Sequence, residues 1–513
     1  MKFNSVSNCI SNMGLYDITK YFYIFCFVWS CLIGISIAIF NQDYGHPDSL
    51  RNLAIAKSLS EDGKFSSGIV NQFLVKADFE SDGMRSRLIP HLYSLIISIF
   101  GLTCIAPLVN TFVILLASFF MRKSAFMMNA KTYGNFASGL FLIYANYPLI
   151  QAWNTNFLIL VIAISAYLII KVISSNNMHK YIYFAFLILL TCISLNIKIT
   201  YFFVLAISSF FICIFIYKES SYKKQIGAVL GTISILFAAY MFLYHLPWSE
   251  NLYPRSTASV AISAKFKPFQ GSTYQDYRHV MMSDKNEYIY LLKKAFTEND
   301  LSDILKSIIK PIYLSVNRLV EPPIVFFVVF SLYAFLATSN RRLIKWFLLL
   351  LLLAPLSEGM LTWHEPRYLL PVWSIFILLP CLIRIQLFTD PHTLLNSTLN
   401  QSLKFASTLI VIAICLSVII YDVKMTYFMY ATQEQVKLKK VERIWREAVK
   451  STPEDSVFLT QAHFPLAFFE DRNAIGIPHG SENVIIKLIE FYNVTHTLMI
   501  ADYNDHIKNM NRI

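Results

Sequence analysis

Segments of about 16–25 predominantly apolar residues recur along most of this chain, each long enough to cross a bilayer's hydrocarbon core as a helix. Spans are expected near residues 21–40, 104–121, 135–150, 154–171, 181–197, 199–217, 226–246, 322–338, 343–361, 367–384 and 404–422. A charged fraction of 15% supports this, because a soluble chain carries roughly 25%. The fold class expected is an α-helical polytopic membrane protein of about 11 transmembrane helices. The net charge of +12 is not a nucleic-acid signature, since much of it sits in short connections between apolar segments.

Those connections orient the chain. With a cytoplasmic N-terminus, the short inner loops hold Arg122, Lys123, Lys131, Lys171, Lys180, Lys218, Lys223, Lys224, Arg341, Arg342, Lys345 and Arg384. The outer connection "QAWNTN" has neither Lys nor Arg. This asymmetry follows the positive-inside rule. It puts residues 41–103, 247–321, a short stretch near 362–367 and the tail outside. The first span lacks a small-x-small cleavage site and is read as retained. Cys26, Cys31, Cys104, Cys192, Cys213, Cys381 and Cys415 lie in or beside apolar spans, and the chain has no CxxC pair. They read as small buried apolar side chains, not as zinc ligands or a disulfide framework.

Two domains are expected: residues 1–422, with outer loops 41–103 and 247–321, and residues 423–513. In the first loop, "DSLRNLAIAKSLSED" spaces Leu50, Leu53, Ala54 and Leu59 as a helix does, and "SRLIPHLYSLIISIFG" is apolar but too short to span. Both read as interfacial helices lying on the membrane. The tail changes texture. "QEQVKLKKVERIWREAVK" is a charged amphipathic helix, "DSVFLT", "NAIGIP" and "HTLMIAD" read as short strands, and "SENVIIKLIEFYN" as a helix capped by Ser481. A small outer α/β domain is expected.

Several polar residues stand where carrying a charge is costly. Asp43 and Asp48 follow the first span within a few residues. A carboxylate there serves either as general base, metal ligand or substrate ligand, or, for Asp48, as the N-cap of the next helix. Arg85 and Arg87 precede the second interfacial helix, where arginine suits bidentate phosphate binding or general attraction to anionic head groups. The acids before them, Asp78, Glu80 and Asp82, read as a solvated loop. Lys198 is a lone cation in a very short outer connection, either functional or snorkelling. In "WHEPRYLLPVW", Arg367 pairs with Glu365 or meets an anionic substrate, Tyr368 anchors at the interface or lines a cavity, and His364 is a weaker candidate. Arg255, Tyr253 and Asp276 in the long outer loop are substrate contacts or structural groups. Asn396 and Asn493 match the Asn-x-Ser/Thr pattern, which is short enough to arise by chance.

Taken in order, these residues resemble the GT-C membrane glycosyltransferases, in the branch holding protein O-mannosyltransferases and the bacterial aminoarabinose transferase of lipid A. An Asp follows the first span and leads into "DSLRNLAIAKSLSEDGKF". Arg85-Ser86-Arg87-Leu88 corresponds to the family's Lys-Pro-Pro-Leu, and Phe100-Gly101 end the next helix at the expected distance. "HEPRYLLPVW" is similar to its Arg-Tyr-Leu-Leu-Pro segment, and "TPEDSVFLTQAHFPLAFFEDRNAIGIP" to the outer domain of many bacterial members. Two departures stand: Asp48-Ser49 where the family often has Asp-Glu, and Ser86-Arg87 in place of two prolines.

The resemblance implies an enzyme in a bacterial inner membrane. It would move a sugar from a polyprenyl-phosphate donor to a glycan, lipid or protein acceptor on the periplasmic face. Asp48 would be the general base, and Arg85, Arg87, Lys198 and Arg367 would hold the donor phosphate. Asp43, Tyr368, His364 and Arg255 would contact substrate. One displacement with one base implies inversion at the anomeric carbon. A divalent cation is neither required nor excluded, and membrane lipids are partners by construction. Two alternatives stay open: a lipid-linked sugar flippase or other transporter, and a glycan polymerase or ligase.

Overall fold

The computed structural model describes residues 15–40, 47–64, 69–70, 88–100, 105–145, 154–175, 179–195, 199–219, 342–361, 371–382, 445–460, 470–476 and 492–499, with single positions elsewhere. Most of them are helical. The helices are α1 Leu15–Phe40, α2 Pro47–Glu61, α3 Leu88–Phe100, α4 Ile105–Met127, α5 Lys131–Ala145, α6 Asn154–Ser174, α7 His179–Leu195, α8 Ile199–Glu219, α9 Arg342–Leu361 and α10 Val372–Leu378, the last continued by a 3-10 turn at Leu379–Leu382. A small sheet is formed by β1 Ile69–Val70, β2 Val457–Thr460, β3 Asn473–Gly476 and β4 His496–Leu498.

Among the described residues, three stretches are long and apolar enough to cross a membrane: Leu15–Ile39, Pro107–Met127 and Thr155–Ser174. Shorter apolar helices accompany them at Leu88–Phe100, His179–Ser194, Tyr201–Ile216, Leu343–Leu356 and Val372–Leu382. Helices occupy the spans expected at 21–40, 104–121, 154–171, 181–197, 199–217 and 343–361 and parts of those at 135–150 and 367–384. The spans expected at 226–246, 322–338 and 404–422 lie almost wholly outside the described residues.

The bundle is ordered by which faces are apolar and hidden. On α1, Tyr21, Ile24, Phe25, Val28, Leu32, Ile35 and Ile39 are exposed at helical spacing, one apolar stripe along the whole helix. On α8, Phe203, Ile207, Phe210, Phe211 and Ile214 form another. Stripes of this kind face lipid, because in water they would be an aggregation liability. By contrast α6 is the central helix: Leu158, Ile159, Ile162, Ala163, Ala166, Ile169 and Ile170 are all buried, and it packs on α4, α7, α9 and α10. Helix α1 lies along α5 and α4, and α8 along α7 and α9.

Helices α4 and α5 form a tight hairpin. Asn129 turns the chain with φ 58°, a left-handed conformation that asparagine tolerates, and the Ala130 amide donates to Ala125 O at 3.0 Å. Helix α4 runs past the span end expected at residue 121, so Arg122 belongs to the helix and not to a loop. Its Nε donates to Asn135 Oδ1 of α5 at 2.6 Å, and its guanidinium lies 4.6 Å from the ring centroids of both Tyr23 on α1 and Phe126. One half-buried cation thus ties three helices together at one end of the bundle.

The sheet is wholly parallel, in the order β1-β3-β2-β4. The three strands read from the tail sequence are β2, β3 and β4. The fourth comes from far away in sequence: Ile69 pairs with Ala474 and Val70 with Ile475. Beneath the sheet Trp445 and Val449, from the amphipathic helix, pack with Phe458, Leu466 and Ala474. Asn493 is exposed in a turn with φ 49° ahead of β4, so the backbone there accounts for the asparagine.

Candidate functional site

The site is built on α2. Pro47 occupies the first helical position, where its missing N–H costs nothing and its fixed φ suits the helix. Asp48 is therefore inside the first turn, two residues after the N-cap position, in the region where the helix dipole favours a carboxylate. At the other end the Asp62 amide donates to Ser58 O at 2.8 Å, and Gly63, with φ +69°, ends the helix in the left-handed conformation that glycine adopts freely.

Helix α2 does not lie on a surface. Leu50, Arg51, Asn52, Leu53, Ala54, Ile55 and Ala56 are all buried, a run that covers every face of the helix. The sequence reading of a helix with one wet face is corrected here. Arg51, Asn52 and Lys57 are polar but enclosed or half-enclosed, so their polarity does not mark a solvent side. Arg51 is only 2% exposed, and a guanidinium is hidden to this degree only when its charge is met by partners. Positions 48, 51 and 52 are three and four residues apart and fall on one face of the helix. The candidate acid thus shares a helix face with a buried cation and a buried amide.

Helix α3 covers α2 on one side. Its Ile89, Pro90, Tyr93 and Ile97 are buried, while Leu95, Ile99 and Phe100 are exposed. One face of this helix thus packs on protein, and the other presents an apolar surface. Ser60 and Ser98 meet at 2.9 Å between the two helices. Tyr93 Oη donates to Asn110 Oδ1 on α4 at 2.7 Å, and its ring meets Phe157 of α6 edge-on at 6.3 Å. Asn110 and Asn156 are fully buried at this same end. Helices α2 and α3 and the N-terminal turns of α4 and α6 thus place several buried polar side chains, Arg51, Asn52, Asn110 and Asn156, among apolar neighbours.

The tail joins this end. Lys57 Nζ meets the carboxylate of Asp471 at 2.5 and 2.7 Å, and β1 completes the tail's sheet eight residues beyond Glu61.

Of the residues singled out from sequence, Asp48 lies in the described backbone. Asp43, Arg85, Arg87, Lys198, Arg255, His364, Arg367 and Tyr368 lie outside the described residues, as do Tyr253, Asp276 and Asn396. Sequence reasoning missed Arg51, Asn52, Tyr93, Asn110 and Asn156. The signal was present: each is a polar group in or at the edge of an apolar run, such as "LRNLAIA", "PLVNTFV" or "NFLILV". Among the described residues no three His, Cys, Asp or Glu side chains gather as a metal site, and Cys26, Cys31, Cys192, Cys213 and Cys381 form no disulfide there. No protein-family model matches this chain, and no curated protein matches it.

Proposed function

We propose that this chain is a GT-C-type glycosyltransferase with eleven membrane crossings, a cytoplasmic N-terminus and a tail domain on the outer, periplasmic face of a bacterial inner membrane. It moves a sugar from a polyprenyl-phosphate donor to an acceptor, with inversion. Asp48 takes the proton of the acceptor hydroxyl as that oxygen attacks the anomeric carbon. The bond from that carbon to the lipid phosphate breaks, and Arg85, Arg87, Lys198 and Arg367 stabilise the negative charge left on the phosphate. Asp43, His364, Tyr368 and Arg255 line the cavity, and the loop at 247–321 closes over it.

The observation that carries this reading is the burial of α2. A helix that follows the first membrane helix directly and hides Arg51 and Asn52 on the face of position 48 has the make-up of a working site. A surface helix has no use for a hidden cation. The parity of the crossing number has support: Ile69–Val70 and the tail strands share one sheet, which on this reading calls for an even number of crossings between β1 and the tail. Ten crossings after the first satisfy this.

The test is made on purified protein in liposomes, each loaded with one polyprenyl-phosphate sugar and a crude acceptor extract. Consumption of the donor with appearance of the sugar on acceptor is the expected result. Movement of intact lipid-linked sugar between leaflets, with no consumption, would replace the enzyme by a flippase. Transfer that requires a lipid-linked oligosaccharide, not a monosaccharide, would favour a polymerase or ligase.

A further inference from the structure

We infer that Lys57 and Asp471 are positioning residues: through them and through β1, the tail domain holds α2 in place and so sets where position 48 and Arg51 stand. The inference rests on the glycosyltransferase reading only for what α2 does, and not for how it is held.

The chemistry of Asp471 points to it. Residues 466, 467 and 470 are helical, and Asp471 follows with φ 50°, the left-handed conformation that ends a helix. Glycine or asparagine usually stands there. A carboxylate is a poor choice at that end, because the last turn of a helix presents its unpaired carbonyls and repels negative charge. In this chain the charge is met from outside the helix, by Lys57 Nζ, which reaches both carboxylate oxygens.

The corner that carries Asp471 is fixed on both sides. The side chain of Glu470, 7% exposed, lies 3.7 Å from Arg446 Nε. Arg472 Nη2 donates to Thr452 O at 3.2 Å. Two residues further on, β3 begins, and its Ala474 and Ile475 pair with Ile69 and Val70. The first outer segment is thus gripped twice by the same short stretch of tail: at Lys57 near the end of α2, and at β1 after the Gly63 turn. A helix that is buried along Leu50–Ala56 and pinned at its far end has little freedom to shift position 48. If the tail binds an acceptor, this contact is where the binding is felt by α2.

The test is a double-mutant cycle on the full-length protein in lipid nanodiscs: Lys57→Met, Asp471→Asn and the pair together. Asparagine keeps the left-handed backbone and loses only the charge. Hydrogen exchange over residues 50–60 is read for each, beside sugar transfer. The Lys57 side chain is 22% and the Asp471 side chain 65% exposed, so each single variant is expected to speed exchange in α2 by about two- to fivefold and not more. The double variant should match the singles, because the contact is already lost. In transfer, kcat should fall by a similar factor with KM for the donor unchanged, as for a shifted base and an intact donor site.

Singles that leave exchange over residues 50–60 unaltered, or effects that multiply in the double variant, would overturn the inference and leave the glycosyltransferase reading standing. Coupled exchange in a protein that transfers no sugar would support the tail's hold on α2 and remove the enzyme reading.

Discussion

Arg122 offers the most quantitative test of how the bundle is held. Its guanidinium is half-buried, donates to Asn135 at 2.6 Å and lies 4.6 Å from two aromatic rings on different helices. A hydrogen bond from a charged group contributes about 1.5–3 kcal/mol. Each cation–π contact adds about 0.5–1 kcal/mol. Asn135 is fully buried, and its Nδ2 already has no hydrogen-bond partner among the described residues. In Arg122→Leu its Oδ1 would also be stranded. These contributions overlap, so the expected loss is about 2–4 kcal/mol. Arg122→Lys keeps the charge but not the planar group that lies against the rings, and should lose about half as much. Adding Asn135→Leu to Arg122→Leu removes the stranded amide, and should recover part of the loss even though two native side chains are gone. The assay is the apparent Tm of the detergent-purified protein for wild type and the three variants. An Arg122→Leu protein as stable as wild type, or a double variant less stable than Arg122→Leu alone, would refute the argument and reduce Arg122 to an orientation signal.

Three further outcomes follow from contacts in the structure. A Cβ added at Gly34 would collide with Thr111 Oγ1 and stand 2.8 Å from both Thr111 Cβ and Cγ2, so Gly34→Ala should force α1 from α4 and lower the apparent Tm, at a cost of about 1–3 kcal/mol. Gly63 has nothing within 4 Å of an added Cβ but sits at φ +69°, so Gly63→Ala should cost about 1–2 kcal/mol from the backbone alone, read as faster exchange near the end of α2. Trp445 is 6% exposed in the tail's core, and Trp445→Ala should cost about 3–5 kcal/mol there, seen as rapid proteolysis of the tail with the helical bundle intact.

The sequence made the helices and most of the sheet legible for different physical reasons. Apolar runs such as "FLILVIAISAYLII" admit little besides a membrane-length helix, and α6 is one. Strands β2, β3 and β4 sit in short apolar segments between turn residues, and each was expected. Strand β1 was not legible: the two paired residues in "SSGIVNQF" are too few for alternation, and their partners are four hundred residues away. The burial of α2 was hidden too, because Arg51, Asn52 and Lys57 look like a wet face when only the helix itself is read. Hydropathy ends a span at the first charge and so puts Arg122 in a loop, whereas a helix continues wherever that charge finds partners. At the candidate site, Asp48 was read from its place just after the first span. The polar residues around it escaped notice because each stands in or at the edge of an apolar run and shows its burial only in the fold.

The most direct test of the functional account compares wild type with Asp48→Asn in lipid-reconstituted protein, supplied with a single polyprenyl-phosphate sugar and acceptor. Asparagine keeps the size of the side chain and removes its basicity. The account predicts that wild type consumes the donor and that Asp48→Asn, folded and still binding the donor, is slower by about 10²-fold or more. Transfer at the wild-type rate by Asp48→Asn would contradict it.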